Sequence, residues 1–409
     1  MESLASEARC AVPPREPEKR RLLIATRVFG TNGQPWLWRQ VVGFSEFETH
    51  LWCWDRQNPL EYPAEHVTVR VLPGRMAPYE GPGRWMYRIR NLPGRNFYGA
   101  HGSERKQLAS MMAELRPAVL LCYFADVGMR LLPAAQDAAI PVVAYLHGDF
   151  EFLKNRWHRW SLAHVAREFA AVVVINQIER NWLLQHGVRP ENLHVIPCGA
   201  PTELFLPRPR RATDKVRFIM TSRLSPEKGC EWSIRAFAQV VRSTPAAELH
   251  VYGDGPSRDD LRSLVDDLGI AESVAFHGWI GERELADILP QFDIFLQHSL
   301  VREGFGVSIA EAAACALPVV VTCVGGIAEH VVPGETGICV QEKDVAGMAA
   351  AMADLAQSPA LRRKIGKAGR ERMVRCFDAR ILTQRLQRVL QNVVASAPDP
   401  STSRPLVRA

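Results

Sequence analysis

Two glutamates, Glu303 and Glu311, lie eight positions apart in the otherwise apolar segment REGFGVSIAEAAACALPVVVTCVGG at residues 302 to 326. A carboxylate in apolar surroundings is costly unless a partner pairs with it. Carboxylates accept strong hydrogen bonds from vicinal hydroxyl groups. The pair therefore predicts a pocket for a ribose and a sugar ring. One alternative stays open, in which Glu311 is only a charge near a helix N-terminus and Glu303 is a solvated loop residue.

The residues between these glutamates favour an anion. Gly304 and Gly306 let the backbone turn tightly and approach a ligand closely. A helix is predicted to begin at Val307 or Ser308. The free backbone N–H groups and the positive dipole end of its first turn favour a phosphate. The two glutamates, one before the helix and one inside its first turns, can then face a single pocket.

Two cations follow another predicted strand. In TSRLSPEKG at residues 221 to 229, Arg223 and Lys228 come after the strand, and Pro226 and Gly229 shape the turn. Two cations at a strand end can neutralise a diphosphate. A basic surface turn is the alternative.

Three other turns give weaker signals. In FGTNGQP at 29 to 35, Gly33 can bring backbone amides close to a ligand, and a simple turn is the alternative. Gly-Asp-Gly-Pro at 253 to 256 is typical of a plain turn. His147 ends a predicted strand, where an imidazole can donate to a sugar hydroxyl or have only a structural role.

Short apolar runs predict the strands that must position these residues. The runs cover residues 21–28, 49–55, 67–72, 118–124, 141–147, 171–176, 193–197, 216–222, 248–253, 273–278, 293–299, 318–323 and 336–340. Helical patterns such as 103–116 and 230–243 lie between many of them. This alternation predicts an α/β fold with two doubly wound parallel sheets. Ligands of such sheets bind at the carboxyl ends of the strands, so two facing sheets form a cleft.

Composition limits the class of protein. The 409 residues carry a net charge of +6, which suits an anionic ligand or an acidic membrane surface and is too weak to indicate nucleic acid. The nine cysteines are scattered without C-x-x-C spacing, which predicts reduced thiols and no structural zinc. The first twenty residues have no apolar core, and no apolar run approaches the ~18 residues of a spanning helix. A cytoplasmic protein, or one peripheral on the inner membrane face, is expected.

Several motifs are missing or weak. Ile309 stands where a G-x-G-x-x-G fingerprint requires glycine, and no G-x-x-x-x-G-K-[ST] loop occurs, which disfavours an ordinary nucleoside triphosphatase. Asp149 and Glu151 form a D-x-E triplet, which alone is weak evidence for a divalent metal.

Taken in order, the motifs resemble those of GT-B fold retaining glycosyltransferases of family 4, the glycosyl transferases group 1. The matching segments are the loop after the first strand, HG at 147–148, VINQIERNWLLQHGVRPENLHVIPCGAPTELF at 174–205, SRLSPEKG, YGDGP, FHGWI, EGFGVSIAEA and VGGIAEHVVPGETGICV. WLWRQVVGF at 36–44 and the HGDF segment resemble the branch that builds exopolysaccharides. The family's Gly-Gly loop reads Thr-Asn-Gly here, and Asn176 occupies a position often held by serine.

The resemblance implies a nucleoside diphosphate sugar as substrate, no cofactor and no metal. The diphosphate would be bound by Arg223 and Lys228 and capped by the amides of Val307 and Ser308. Glu311 would bind the ribose, and Glu303 the transferred sugar, together with the amides of Gly304, Phe305 and Gly306. Gly33 would contact the donor, Gly278 and Trp279 would border the base, and His147 would face the sugar.

The expected reaction is transfer to a hydroxyl of a sugar, glycolipid or other acceptor, with retention of the anomeric configuration, in polysaccharide or glycolipid biosynthesis. The alternatives are a nucleotide-sugar epimerase of the same fold and a non-catalytic member that binds sugar nucleotides. Basic and aromatic residues mix at 83–99 and 154–167, which indicates contact with anionic membrane, an acceptor-cleft wall or a solvated face.

The expected domain organisation follows from the linker CGAPTELFLPRPRRATDK. We expect a disordered lead at 1–19, an acceptor-side domain at 20–205 completed by a returning helix at 377–395, a nucleotide-sugar-binding domain at 206–376, and a disordered tail at 396–409.

Overall fold

The computed structural model describes residues 19–73, 96–148, 156–209 and 214–397. Each predicted apolar run overlaps a strand. The strands are β1 Arg20–Phe29, β2 Phe47–Arg56, β3 Val67–Val71, β4 Val119–Tyr123, β5 Val142–Tyr145, β6 Ala171–Val174, β7 Leu193–Val195, β8 Val216–Thr221, β9 Ala247–Tyr252, β10 Val274–Gly278, β11 Ile294–Gln297, β12 Val319–Thr322 and β13 Ile338–Val340.

Helices connect most of the strands within the described ranges. They are α1 Pro35–Val42, α2 Gly102–Leu115, α3 Ala125–Asp137, α4 Arg156–Val165, α5 Gln177–Gln185, α6 Cys230–Ser243, α7 Arg258–Asp267, α8 Glu282–Ile288, α9 Val307–Ala314, α10 Ile327–His330, α11 Val345–Gln357, α12 Pro359–Cys376 and α13 Ala379–Ser396.

The strands form two parallel sheets, as predicted. Their orders are β3-β2-β1-β4-β5-β6-β7 and β10-β9-β8-β11-β12-β13. Central strands such as β4 and β12 are apolar almost throughout and buried along their whole length, because helices cover both sheet faces. The fold is therefore the two-sheet α/β architecture that the alternating pattern indicates.

The order of strands fixes where a ligand can bind. In the second sheet the order reverses between β8 and β11. A crevice opens at the carboxyl ends of parallel strands where the order reverses. The loop after β8 carries Arg223 and Lys228, and the loop after β11 carries Glu303. The topology thus brings together two motifs that lie about 75 positions apart in the chain, as Lys228 and Glu303 do.

The last helix returns to the first sheet. Helix α13 packs against α1 and β4. Asp378 caps its N-terminus by accepting hydrogen bonds from the backbone of Arg380 and Ile381, and it also accepts one from the Thr202 hydroxyl. The domain boundaries inferred from the sequence stay a prediction.

One prediction about the cysteines is wrong. Cys323 and Cys339 form a disulfide, with Cα atoms 5.5 Å apart. The neighbouring strands β12 and β13 place them together, since Val321 pairs with Cys339 in the sheet register. A separation of 16 residues carries no pairing signal in the sequence. The other six cysteines of the described ranges are free thiols.

Candidate active site

A cavity of about 550 Å³ lies between the two sheets, at the carboxyl ends of their strands. Its walls come from the loop after β1 on one side and from the loops after β8, β9, β10 and β11 on the other. Its lining residues are Asn32, Gly33, Pro35, Thr221, Ser222, Arg223, Lys228, Tyr252, Gly253, Asp254, Trp279, Ile280, Glu282, Leu285, Gln297, Val307, Ser308 and Glu311.

Seven of the residues that were assigned to the site from the sequence line this cavity. They are Gly33, Arg223, Lys228, Trp279, Val307, Ser308 and Glu311. Arg223 is 68% exposed and pairs with Glu227 four residues later. An exposed ion pair of this kind is weak, so the guanidinium can leave it for a ligand at little cost.

Lys228 lines the cavity and forms an ion pair with Glu303 behind it. Its Nζ atom lies 2.6 Å from Glu303 Oε1, and both side chains are largely buried. Glu303 does not line the cavity itself, yet its charge partner does. The contact places one carboxylate and one ammonium at the cavity's edge, where a phosphate would compete for the lysine.

The N-terminus of α9 opens onto the same space. Gly306, with a φ of 82°, is the residue before the helix and adopts a conformation that other residues rarely take. Among the described residues, the backbone N–H groups of Val307 and Ser308 donate to no protein acceptor. Free N–H groups at a helix start bind anions.

Glu311 is the buried acid of the cavity and is only 5% exposed. Burial raises its pKa to about 8; the charge of Glu282 adds to this rise and that of Arg39 opposes it. Arg39 on α1 and Glu282 on α8 form an ion pair across the cleft, and both are largely buried. The Glu311 carboxyl is therefore mostly uncharged at neutral pH.

We predict that Glu311→Gln changes how stability depends on pH. Because folding raises the pKa of Glu311, its stabilising contribution is full below about pH 4.5 and is lost as pH rises towards 8. The variant lacks this titration. As pH rises across this window, its unfolding free energy minus that of the wild type should therefore increase by up to about 1.4 kcal/mol per pH unit. Urea unfolding at several pH values measures the gap.

The exposed Glu371 supplies a matched control. It is 66% exposed and pairs with Lys367 on the same helix. The unfolding free energy of Glu371→Gln should follow the wild-type pH curve. A Glu311→Gln curve that runs parallel to the wild type would show that Glu311 is charged in the folded protein.

His147 lies beside the cavity without lining it. Its ring stacks on that of Trp36, with the ring centroids 4.0 Å apart, and its centroid lies 3.9 Å from that of the Tyr145 ring. Its Nδ1 is 3.6 Å from Cys198 Sγ, whereas its Nε2 is buried and has no hydrogen-bond partner among the described residues. Burial holds its pKa well below the usual value, so the imidazole is neutral. A buried nitrogen without a partner is what a sugar hydroxyl would satisfy.

Four predicted site residues support the cavity from outside its lining: Gly278, Gly304, Phe305 and Gly306. The Gly304 carbonyl accepts a hydrogen bond of 3.1 Å from Asn176, the cap of α5. A Cβ atom at Gly304 would lie 2.5 Å from Ile175 Cδ1, so a larger residue there would require the Ile175 side chain to move.

Several polar residues of the site were not predicted from the sequence, Gln297, Ser299, Asn32 and Glu282 among them. Gln297 and Ser299 lie at the end of β11 and connect Ser308 to Glu303 through hydrogen bonds. Asn32 lines the cavity from the first lobe, and the Asn58 amide donates to its Oδ1 at 2.8 Å. Only Asn32 had a signal, because it replaces a glycine of the loop.

A larger cavity of about 630 Å³ lies at the opposite ends of β5, β6 and β7, under α13. Its lining is mostly apolar.

No group of three or more His, Cys, Asp or Glu side chains in the described ranges is placed to hold a metal ion. The D-x-E triplet of Asp149 and Glu151 lies outside the described residues. Among the helices that the structure describes, none has the length and apolarity to cross a membrane.

Comparison with known proteins shows the family. Residues 203–372 match the family model "Glycosyl transferases group 1", and residues 48–204 match "Glycosyltransferase Family 4". The chain belongs to this family of glycosyltransferases.

Two relatives are mannosyltransferases. The GDP-mannose-dependent monoacylated alpha-(1-6)-phosphatidylinositol monomannoside mannosyltransferase of Corynebacterium glutamicum is 30% identical over 278 residues, which are 63% of this chain and 72% of that relative. The GDP-mannose-dependent alpha-(1-6)-phosphatidylinositol monomannoside mannosyltransferase of Mycolicibacterium smegmatis is 30% identical over 253 residues, 58% of this chain and 66% of the relative.

A solved structure shares the fold. Anabaena Alr3699/HepE, in complex with UDP and glucose, superposes with a TM-score of 0.72 at 18% identity and covers 91% of this chain and 100% of that one. The fold is thus GT-B, as the resemblance implied.

Proposed function

We propose that this protein is a retaining glycosyltransferase that moves a sugar from a nucleoside diphosphate sugar to a hydroxyl acceptor in glycolipid or polysaccharide biosynthesis. The observation that carries the proposal is the cavity between the sheets. Lys228, the free N–H groups of α9 and the buried Glu311 all line it, and Glu303 is bonded to Lys228.

The donor would lie across this cavity. Its diphosphate would contact Lys228, Arg223 and the amides at the start of α9, since these supply positive charge and fixed donors. Glu311 would bind the ribose, and Glu303 the hydroxyls of the transferred sugar. The half-exposed Trp279, which follows Gly278, would border the base.

The reaction we propose is a substitution on one face of the sugar. The bond between the anomeric carbon and the phosphate oxygen breaks, and a bond from the acceptor oxygen forms on the same face. The acceptor proton passes to the leaving phosphate. Lys228, Arg223 and the α9 amides stabilise the negative charge that develops, and fixed donors of this kind are often the largest catalytic contribution.

The neutral His147 would donate a hydrogen bond from Nε2 to the sugar, because this nitrogen is buried and unpartnered among the described residues. Its stacking on Trp36 fixes the ring plane. A neutral imidazole adds no positive charge that would compete with Lys228 and Arg223 for the diphosphate.

A phosphatidylinositol-type lipid is the acceptor class that the two named relatives support. The surface of α4 fits an anionic membrane: Trp157 is 40% exposed, and the Arg156 guanidinium lies 4.8 Å from its ring centre. Mixed basic and aromatic side chains of this kind bind lipid headgroups. In the two segments that mix basic and aromatic residues, 83–99 and 154–167, residues 83–95 and 154–155 lie outside the described ranges. The exopolysaccharide branch stays a prediction.

One labelled-donor assay tests both reaction and location. The protein is incubated with labelled GDP-mannose or UDP-glucose and with vesicles that contain phosphatidylinositol and its mannoside. We expect label to enter lipid with an α-linkage and protein to float with the vesicles. A changed nucleotide sugar without transfer would indicate an epimerase. Binding without transfer or donor hydrolysis would indicate a non-catalytic protein, and protein that stays off the vesicles would refute membrane contact.

A further inference from the structure

A line of hydrogen bonds connects the start of α9 to Glu303. Ser308 Oγ lies 2.9 Å from Gln297 Oε1, and Gln297 Nε2 lies 3.1 Å from Ser299 Oγ. Ser299 Oγ lies 2.7 Å from Glu303 Oε1, which is also the atom that Lys228 contacts. Gln297 is 6% exposed and Ser299 is fully buried. The line is therefore shielded from water over its central part.

The direction of these bonds follows from the carboxylate at one end. An ionised carboxylate only accepts, so the single hydroxyl proton of Ser299 must be donated to Glu303. The Gln297 amide nitrogen must then donate to Ser299, which leaves the Gln297 carbonyl oxygen facing Ser308. The Ser308 hydroxyl therefore donates to Gln297. A carboxamide accepts at one end and donates at the other, as this position requires.

This arrangement orients the Glu303 carboxylate. Its Oε1 accepts from both Ser299 and Lys228, whereas its Oε2 has no hydrogen-bond partner among the described residues. One oxygen is thus fixed by the protein and the other is left for a ligand. At the opposite end, the Ser308 hydroxyl already donates its proton to Gln297. An anion at the start of α9 would therefore accept hydrogen bonds from the backbone N–H groups.

We propose that Gln297 is a positioning residue that couples the phosphate end of the cavity to the sugar-binding carboxylate of Glu303. This role rests on the proposed transferase function. Gln297 acts on the sugar through Ser299 and Glu303 and leaves the binding of the diphosphate to Lys228 and α9. Its loss should therefore reduce turnover of a nucleotide sugar while a nucleoside diphosphate without sugar still binds.

The isosteric variant Gln297→Glu tests the direction of the hydrogen bonds that run from Ser308 to Glu303. An ionised carboxylate at 297 cannot donate to Ser299, so the link to Glu303 breaks. A protonated carboxyl can donate again. We expect kcat with the donor used by the wild type, chosen from UDP- and GDP-sugars, to fall about tenfold at pH 8.5, as for one buried hydrogen bond to a charged group. The deficit should shrink to less than about threefold at pH 5.5, where the carboxyl is protonated.

Two matched variants and one binding measurement separate this role from a structural one. Gln357→Glu adds the same charge at an exposed helix end and should match the wild type at each pH. Gln297→Leu removes both bonds and should show a deficit that does not change with pH. Titration calorimetry with UDP or GDP should give Kd values for the uncharged variant Gln297→Leu within about twofold of the wild type, because the diphosphate contacts remain and no charge is added to the cavity.

Three outcomes would overturn the proposal. The first is a Gln297→Glu deficit that is the same at pH 5.5 and 8.5, and the second is a variant that is as active as Gln357→Glu. The third is a nucleoside diphosphate affinity of Gln297→Leu that falls in parallel with its kcat. A wild type that turns over no sugar nucleotide would instead refute the transferase function, and the proposed role of Gln297 with it.

Discussion

Lys228→Ala is expected to lower kcat by about a thousandfold, or roughly 4 kcal/mol, the usual cost of losing a fixed donor aimed at developing charge. Lys228 lines the cavity and lies 2.6 Å from Glu303 Oε1. Its removal takes away both a cation for the leaving diphosphate and the partner of Glu303. Steady-state kinetics with a sugar nucleotide measures the loss, and urea unfolding reports any accompanying change in stability.

Lys367→Ala is the matched control for this change. Lys367 pairs with Glu371 on the exposed face of α12, and both side chains are more than 60% exposed. Its removal should change stability by less than about 0.5 kcal/mol and leave kcat unaltered, since exposed pairs contribute little. A folded Lys228→Ala protein with wild-type kcat would remove Lys228 from the phosphate site.

The second large effect concerns Glu303. Glu303→Gln keeps the shape of the side chain and removes its charge. The hydroxyls of the transferred sugar lose a strong acceptor, and we expect kcat/KM to fall about a hundredfold. The Kd of a nucleoside diphosphate without sugar should change much less, because Lys228 keeps its place beside the cavity. Kinetics and calorimetry on the same preparation give both values.

Glu303→Ala should behave like Glu303→Gln, and Glu371→Gln should behave like the wild type because Glu371 lies on an exposed helix face. Full activity in Glu303→Ala would exclude Glu303 from the sugar site. If Glu303→Gln instead weakened nucleoside diphosphate binding by the same factor as it lowers kcat/KM, Glu303 would act on the diphosphate and not on the sugar.

The strands and the main site motifs could be predicted because their signals are local. A strand of a buried parallel sheet is a short apolar run whatever its neighbours are, and each of the thirteen runs overlaps a strand. The helix start at Val307 likewise follows from adjacent glycines. Lys228 and Glu303 were predicted from two separate loops, and the parallel topology then placed both loops at one sheet edge.

What escaped prediction depends on distant pairing. Arg39 and Glu282 form their ion pair across 243 positions, and neither side chain belongs to a motif that suggests it. The disulfide of Cys323 and Cys339 requires that β12 and β13 be neighbours. Gln297 is a polar residue at the end of an apolar strand, and only the register of β11 beside α9 shows that it bonds Ser308.

A structure of the protein with bound UDP or GDP tests the proposed donor site directly. We predict the diphosphate in the cavity between the sheets, with its oxygens roughly 3 Å from Lys228 Nζ and from the backbone nitrogens of Val307 and Ser308. A nucleotide bound elsewhere, or one whose phosphates contact none of these three groups, would contradict this prediction.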